Sequence, residues 1–304
     1  MHARSRDKTF PRQEAGSPEA RGPSRLGGRC GPRFAGACER KNAVLRRAAV
    51  KVATWNVNSI RARLDHALDW LERVQPDVLC MQETKVVDDD FPTDEFMRLG
   101  YGVAMAGQLS YNGVAILSRL PMKELSIGLL DQPESADKRA ISALIAGIRI
   151  FSVYIPNGKS VASPSFAEKL AWLGSLRETL DARANPKSDV LVCGDFNIAT
   201  DERDLYDPAA FVGKTHFHPD EHRALANVRD FGLRDAYRIH HAEGGAYSWW
   251  DYRGGGFRKN EGLRIDYVFL SESLAARCTS VFMDVEPRRL DKPSDHIPVV
   301  VELA

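Results

Sequence analysis

Six times along this chain an apolar run of strand length ends or begins on a polar residue able to do chemistry. Asn56 follows Ala53-Thr54-Trp55, and Glu83 follows Val78-Leu79-Cys80-Met81-Gln82. Tyr154 closes Ile150-Phe151-Ser152-Val153, and Asp195 and Asn197 follow Val190-Leu191-Val192-Cys193-Gly194. Asp266 opens Tyr267-Val268-Phe269-Leu270, and Asp295-His296 precedes Ile297-Pro298-Val299-Val300-Val301. Short apolar runs of this kind read as buried strands. A sheet can bring several strand ends to one edge. A single acid at a strand end is as easily a turn or cap residue. Six such places in one chain argue for a shared site.

Helical spacing separates these runs. Ile60, Leu64, Leu68, Leu71 and Val74 recur on one face, with Pro76 after them, and Phe166, Leu170, Leu173, Leu176 and Leu180 form a second such series. A further helix is expected around Glu221–Phe231. Further strands are expected at Gly113–Ser118, Cys278–Val285 and Pro298–Leu303, and a hairpin at Arg139–Ile145 and Ile148–Ile155. Hairpins mixed with helices predict an α/β fold, with two mixed or antiparallel sheets and helices outside, in one domain over residues 50–304.

Residues 1–49 are different. They are rich in Arg, Gly, Pro, Ala and Ser and lack hydrophobic periodicity. Two readings stand: a disordered basic extension, or a start placed upstream of the true one, because the folded pattern begins abruptly at Val50. This segment carries a net +8, which leaves −7 for the remainder against +1 overall. Global charge therefore makes no case for nucleic acid; local Lys/Arg placement and a bound metal would have to supply it. No run approaches the ~18 apolar residues of a membrane span. The five cysteines form no C-x-x-C pair and there is no secretion signal. A cytoplasmic protein with reduced thiols, monomeric and without a membrane partner, is expected.

The strand-end residues suit metal-assisted phosphodiester hydrolysis. Carboxylates such as Glu83 and Asp295 bind a hard cation, which neutralises phosphate charge. Asp195 can take a proton from an attacking water. His296 can donate to a phosphoryl oxygen if a carboxylate such as Asp266 holds its ring. Zinc chemistry has little support without H-E-x-x-H or a Cys/His cluster. The absence of a P-loop and of G-x-S-x-G removes the triphosphatase and serine-hydrolase readings.

Taken together, Trp55-Asn56-Val57-Asn58, Gln82-Glu83-Thr84-Lys85, Tyr154-Ile155-Pro156-Asn157-Gly158, Gly194-Asp195-Phe196-Asn197, Gly262-Leu263-Arg264-Ile265-Asp266 and Pro293-Ser294-Asp295-His296 resemble the exodeoxyribonuclease III and abasic-site endonuclease family. That family belongs to the endonuclease/exonuclease/phosphatase superfamily. Trp249-Trp250-Asp251-Tyr252-Arg253 narrows the resemblance to the DNA-repair branch. The resemblance implies a four-layered α/β sandwich with its site at one edge of two packed sheets. It implies a magnesium ion, replaceable by manganese, and double-stranded DNA with abasic sites or 3′ ends as partner. Glu83 would be the principal metal ligand, with Asn56, Asp195, Asn197, Asp295 and His296 around the metal site. Asp195 would activate the water, Asn197 orient it and Tyr154 contact the phosphate. His296, paired with Asp266, would stabilise the transition state.

Trp249, Leu263 and Ile265 match positions lining the pocket for a flipped-out abasic sugar, where an apolar wall excludes a normal nucleotide by size. Each is also readable as core, Trp249 less readily than Leu263 and Ile265. Arg253, Arg258, Lys259 and Arg264 are candidates for gripping phosphates. His216 departs from the family pattern, which has a small residue in this loop. Its bulk is expected to narrow the pocket and to favour 3′-end trimming over incision at internal abasic sites. The alternative is an ordinary loop histidine. Three functions compete: a DNA-repair nuclease, as abasic endonuclease or as an end-processing 3′ exonuclease and 3′-phosphatase; a phosphatase or phosphodiesterase for other phosphoesters on the same scaffold; and a non-catalytic DNA-binding module. Intact Glu83, Asp195, Asn197, Asp266 and His296 favour catalysis.

Overall fold

A computed structural model of the chain describes residues 49–304. The expectation for residues 1–49 falls, except for Ala49, outside them. Strands β1 (Val50–Asn56), β2 (Val78–Gln82), β3 (Gly102–Ala106), β4 (Val114–Ser118), β11 (Cys278–Met283) and β12 (Val299–Leu303) make one sheet, in the order β11-β12-β1-β2-β4-β3. Strands β5 (Met122–Ile127), β6 (Ala140–Ile145), β7 (Ile148–Tyr154), β8 (Val190–Asp195), β9 (Leu233–Asp235) and β10 (Asp266–Ser271) make the other, in the order β5-β6-β7-β8-β10-β9. The helices are α1 (Ile60–Val74), α2 (Thr93–Arg98), α3 (Pro164–Arg183), α4 (Pro208–Phe211), α5 (Pro219–Arg229), α6 (Ala236–His240), α7 (Gly256–Lys259) and α8 (Glu272–Ala275).

Side-chain alternation builds the layers. Val52, Cys80 and Ile116 of the first sheet meet Ile150, Cys193 and Val268 of the second in the central core. The opposite face of the first sheet, with Trp55 and Leu79, packs on Trp70 and Leu71 of α1. The opposite face of the second, with Phe151, Val192 and Phe269, packs on Leu173 and Leu176 of α3 and Leu225 of α5. This gives the expected four layers of helix, sheet, sheet and helix. The middle strands β2 and β4 are almost wholly apolar because both their faces are covered.

Strands β3, β5 and β9 were not expected from sequence. Gly102-Val103-Ala104-Met105-Ala106 holds one β-branched residue. Lys123 and Glu124 give β5 the look of a loop, yet it is an exposed edge strand, where charge guards against further pairing. Strand β9 has only three residues.

The topology decides where the strand ends go. Strands β1 and β2 run parallel, as do β7 and β8, so Asn56, Gln82, Tyr154 and Asp195 finish at the same edge. Strand β10 is antiparallel to β8, and β12 to β1. Asp266 therefore starts where Asp195 ends, the two being register partners. His296, just before β12, returns to the end of β1, where its carbonyl accepts from Trp55 Nε1 at 3.2 Å.

Candidate active site

The edge so formed carries a chain of buried titratable groups. Asp266 Oδ2 accepts from His296 Nδ1 at 2.8 Å, and His296 Nε2 lies 3.7 Å from Asp195 Oδ2. Asn56 Nδ2 donates to Asp195 Oδ2 at 2.9 Å and to Glu83 Oε1 at 2.8 Å, joining the two carboxylates across the sheets. Asp195 Oδ1 accepts the backbone N–H of Asn197 at 2.9 Å. Asp195 follows Gly194, whose φ is +144; a Cβ there would stand 1.8 Å from the carbonyl oxygen of Val153. The close approach of β7 to β8 thus demands this glycine. Glu83, Lys85 and Asn197 all hold positive φ, at 52, 56 and 53°. Such backbone persists where the surrounding structure over-determines it, and functional sites collect it.

Burial pushes the Asp195 carboxyl up to about 7, with Asp266 and Glu83 adding to the rise and His296 opposing it. Burial pulls His296 down, but the Asp266 and Asp195 carboxylates outweigh it and raise the imidazole to about 10. Burial also raises Glu83, yet Lys85 and the Asn56 amide overcome it and hold the group below the usual range. Burial, Glu83 and Asp195 hold the Tyr154 phenol well above its ordinary value, so it stays protonated. Arg139 stacks over the Tyr154 ring, 4.7 Å from its centroid.

Glu83, Asp195 and His296 each present a ligand atom within 4.8 Å of the others, close enough to share a metal ion. The charge count fits a divalent cation. Glu83, Asp195, Asp266 and Asp295, taken as ionised, face Lys85 and protonated His296, which leaves two negative charges. One carboxylate oxygen, Asp266 Oδ1, is buried with no partner among the described residues. The donor set, carboxylate oxygens above all, suits a hard cation.

Two of the expected ligands, Asn197 and Asn56, are already engaged. His296 offers a metal a ring nitrogen only in its neutral form, while the surrounding carboxylates favour the imidazolium. Asn197 spends its amide on Ile155 O, Asp195 Oδ2 and Asn157 Nδ2. Asn56 gives its oxygen to the Asn58 backbone N–H at 3.0 Å and its NH2 group to the two carboxylates. Asp295 accepts from Trp249 Nε1 at 2.9 Å and Asn58 Nδ2 at 2.8 Å. Burial raises its carboxyl, and His296 with these donors brings it below the usual range.

Beside the carboxylates lies a cavity of about 160 Å³. Glu83, Tyr154, Asn197 and Asp295 line it on one side, with Trp249, Leu263, Ile265, His216 and Asn157 around the rest. Leu263 and Ile265 are also core residues, packed with Ala199 and Leu205. These positions form a core face whose edge also lines the cavity. His216 holds φ +74 and sets Nδ1 2.6 Å from the carbonyl of Asn197. Burial and Lys169 bring its ring down to about 4, so it is neutral. A larger cavity of about 410 Å³, around Asp88 and Ile127, shares none of these residues. Chemistry, not size, picks the smaller one.

Arg264 requires a correction. The expectation that it grips phosphates fails because the side chain is buried. It donates to Asp204 Oδ1 at 2.7 Å and to Asp235 Oδ2 at 2.8 Å, and packs over the Tyr267 ring. In Leu263-Arg264-Ile265 alternation turns the arginine away from the cavity. Arg253 remains free for phosphate, with a side chain 94% exposed and 3.7 Å from Asp251. Sequence reading gave no role to Lys85, whose ammonium sits 2.7 Å from Glu83 Oε2 and 2.5 Å from Asn58 Oδ1. The signal was present in Gln-Glu-Thr-Lys, but only the positive φ of both residues folds the lysine back on the glutamate.

Known proteins resemble this chain in sequence and in fold. The model of the endonuclease/exonuclease/phosphatase family matches residues 53–296. Exodeoxyribonuclease III of Haemophilus influenzae is 33% identical over 265 residues, 83% of this chain and 99% of that protein. The solved structure of the 3′ phosphatase NExo from Neisseria, bound to a product DNA hairpin, is 38% identical. It superposes with a TM-score of 0.81 over 84% of this chain and 99% of that one. An AP endonuclease from Archaeoglobus fulgidus is 38% identical, with a TM-score of 0.80 over 83% and 98%. The chain belongs to the endonuclease/exonuclease/phosphatase family, in its exodeoxyribonuclease III and AP endonuclease branch.

Proposed function

We propose that the protein is a metal-dependent DNA-repair nuclease that hydrolyses phosphodiester bonds in duplex DNA, at abasic sites or at 3′ ends. The observation that carries this reading is the Asp266–His296–Asp195 chain facing Glu83 beside a cavity walled by Trp249, Leu263 and Ile265. Glu83 would be the principal ligand of a magnesium ion, with manganese able to substitute, and the carboxylate of Asp195 or Asp295 would help to hold it. When bound, the ion neutralises phosphate charge and stabilises what develops at the transition state.

The chain's own groups do the rest. Asp195, poised at about 7, takes a proton from the attacking water. The Asn197 amide, its two N–H groups held by Asp195 and Ile155, orients that water through the remaining lone pair of Oδ1. As the water oxygen bonds to phosphorus, the ester P–O bond breaks, the leaving oxygen takes the bonding pair and picks up a proton from solvent, and protonated His296 donates a hydrogen bond to a phosphoryl oxygen. Asp266 keeps its ring in place. The Tyr154 phenol donates to the phosphate. Arg253 binds the DNA backbone from the rim.

His216 supports a narrower reading, that 3′-end processing is favoured over internal incision. It is clamped into the cavity wall by the Asn197 carbonyl, where its ring takes space a smaller residue would leave. The deciding assay uses a duplex with one internal abasic analogue and a duplex with a recessed 3′ end, each with magnesium or EDTA. Magnesium-dependent incision beside the lesion supports an abasic endonuclease; trimming alone supports end processing. His216→Gly should raise incision relative to trimming, and an unchanged ratio rejects the role given to His216. Cleavage of neither duplex, with hydrolysis of a small phosphoester, rejects the DNA assignment.

A further inference from the structure

One buried ion pair has no part in the chemistry above. Lys169 lies on α3 and Glu221 on α5, and neither side chain has any exposure. Burying two charges is costly, and apolar residues of similar volume often serve stability as well. The surroundings of the pair point to another task. An ammonium has three donors, and those of Lys169 are matched by the Asn157 and Asn197 carbonyls, at 3.2 and 2.7 Å, and by Glu221 Oε1. Glu221 Oε1 also accepts from the His216 N–H and the Thr215 hydroxyl, and Oε2 accepts from the His218 N–H. Three segments distant in sequence are tied to one point. Gly158 presses on that point: a Cβ there would stand 3.0 Å from Lys169 Cδ and 3.2 Å from Thr215 Oγ1. Asn157, Asn197 and His216, one from each segment, line the same cavity.

We propose that Lys169 and Glu221 are positioning residues. They fix Asn157, Asn197 and His216 relative to one another, and so set the place of the water-orienting amide and the width of the cavity. Neither reaches substrate, because their polar atoms are taken up inside the protein. The inference rests on the nuclease reading for its effect on turnover, but its structural content stands apart from activity.

The test is the double variant Lys169→Gln/Glu221→Gln, which removes both buried charges while keeping a donor opposite an acceptor. Thermal midpoint, kcat and KM on a duplex with a recessed 3′ end in magnesium, and side-chain amide resonances are compared with wild type. A drop in kcat of about 10- to 100-fold with KM within about twofold is expected, since small misplacements of reacting groups cost that much. The Asn157 and Asn197 side-chain amides should shift while Asn56 stays. Thr215→Val removes one hydroxyl that touches both Glu221 and the Asn157 carbonyl. It should lower kcat about two- to fivefold at an unchanged thermal midpoint, the scale of one hydrogen bond. Wild-type kcat and unmoved Asn157 and Asn197 resonances in the double variant overturn the proposal. If the double variant does not fold, an unaltered kcat and spectrum in Thr215→Val overturn it instead. Should wild type cut no duplex, the nuclease reading falls, and the resonances alone decide this inference.

Discussion

The active-site edge and the cluster around Arg264 are built from the same materials and end in opposite states. Both are buried and both set aspartates against cations. Around Arg264 the charges match: Asp204 and Asp235 face Arg264 and Arg238. Burial raises the Asp204 carboxyl, but Arg264 overcomes it and keeps the group below its ordinary value. Thr200 Oγ1 at 2.6 Å and two backbone N–H groups complete its shell. At the edge, acids outnumber cations by two, Asp195 is pushed up to about 7, and Asp266 Oδ1 has no partner. A charge-matched cluster holds chain segments together, although Arg238 Nε there is, like Asp266 Oδ1, without a partner among the described residues. An acid-rich one leaves charge to be met by a cation.

The sharpest way to break this comparison is to neutralise one acid on each side. Asp195→Asn should lower kcat about 10²–10⁴-fold, the usual weight of a general base. The metal-free thermal midpoint at pH 8 should not fall, because a strained charge is removed. A large loss of midpoint would mean that the edge is as structural as the other cluster. Asp204→Asn leaves Arg264 partly unpaired, and should cost about 3–5 kcal/mol in urea unfolding, the scale for breaking a buried pair. The folded fraction should keep kcat within a few-fold. A near-neutral unfolding curve would show that the cluster is not the clamp its bonds suggest.

A smaller effect separates the two by pH. The folded pKa of Asp195 lies at about 7, above its ordinary 3.8. The native state therefore holds the extra proton, and stability that is full below 3.8 is lost as pH rises through 7. Wild type should lose metal-free stability relative to Asp195→Asn over that interval. His296 has the same sign, with its contribution present below 6.5 and lost as pH rises through about 10. Asp204, whose folded pKa is depressed, runs the other way: its contribution is lost only as pH falls below 3.8. Parallel melting curves of wild type and Asp195→Asn from acid to neutral pH would contradict the assignment.

Least drastic is Trp249→Phe, which keeps an apolar wall and removes the hydrogen bond to Asp295 Oδ2. A reduction in kcat/KM of about two- to tenfold is expected, the range of one ordinary hydrogen bond. No change in steady-state kinetics would mark Trp249 as wall alone.

Much of the site was legible in the sequence because its parts are local. An apolar run that stops on Asn56, Glu83 or Asp195 shows both the strand and its exposed end. Periodicity gave α1 and α3 within a few residues, and Pro76 follows the αL residue Gln75 that closes α1. Edge strand β5 was hidden because its charged residues carry no burial pattern. Arg264 was misread because a charge near a glycine-rich stretch looks like a solvated hand for phosphate. Only alternation about Leu263 and Ile265, within a folded loop, turns it inward.

The sequence by itself determined which groups stand at strand ends and what chemistry they can perform, since both follow from neighbours a few residues apart. The tertiary structure alone decided how those groups divide the work. Parallel pairing of β7 with β8 and antiparallel pairing of β8 with β10 set Asp195 between Tyr154 and Asp266. Contacts across the chain made His296 a cation and locked Lys169 onto Glu221. The reason is physical: charge state depends on burial and on which opposite charges come within a few ångströms, and those partners lie far away along the chain.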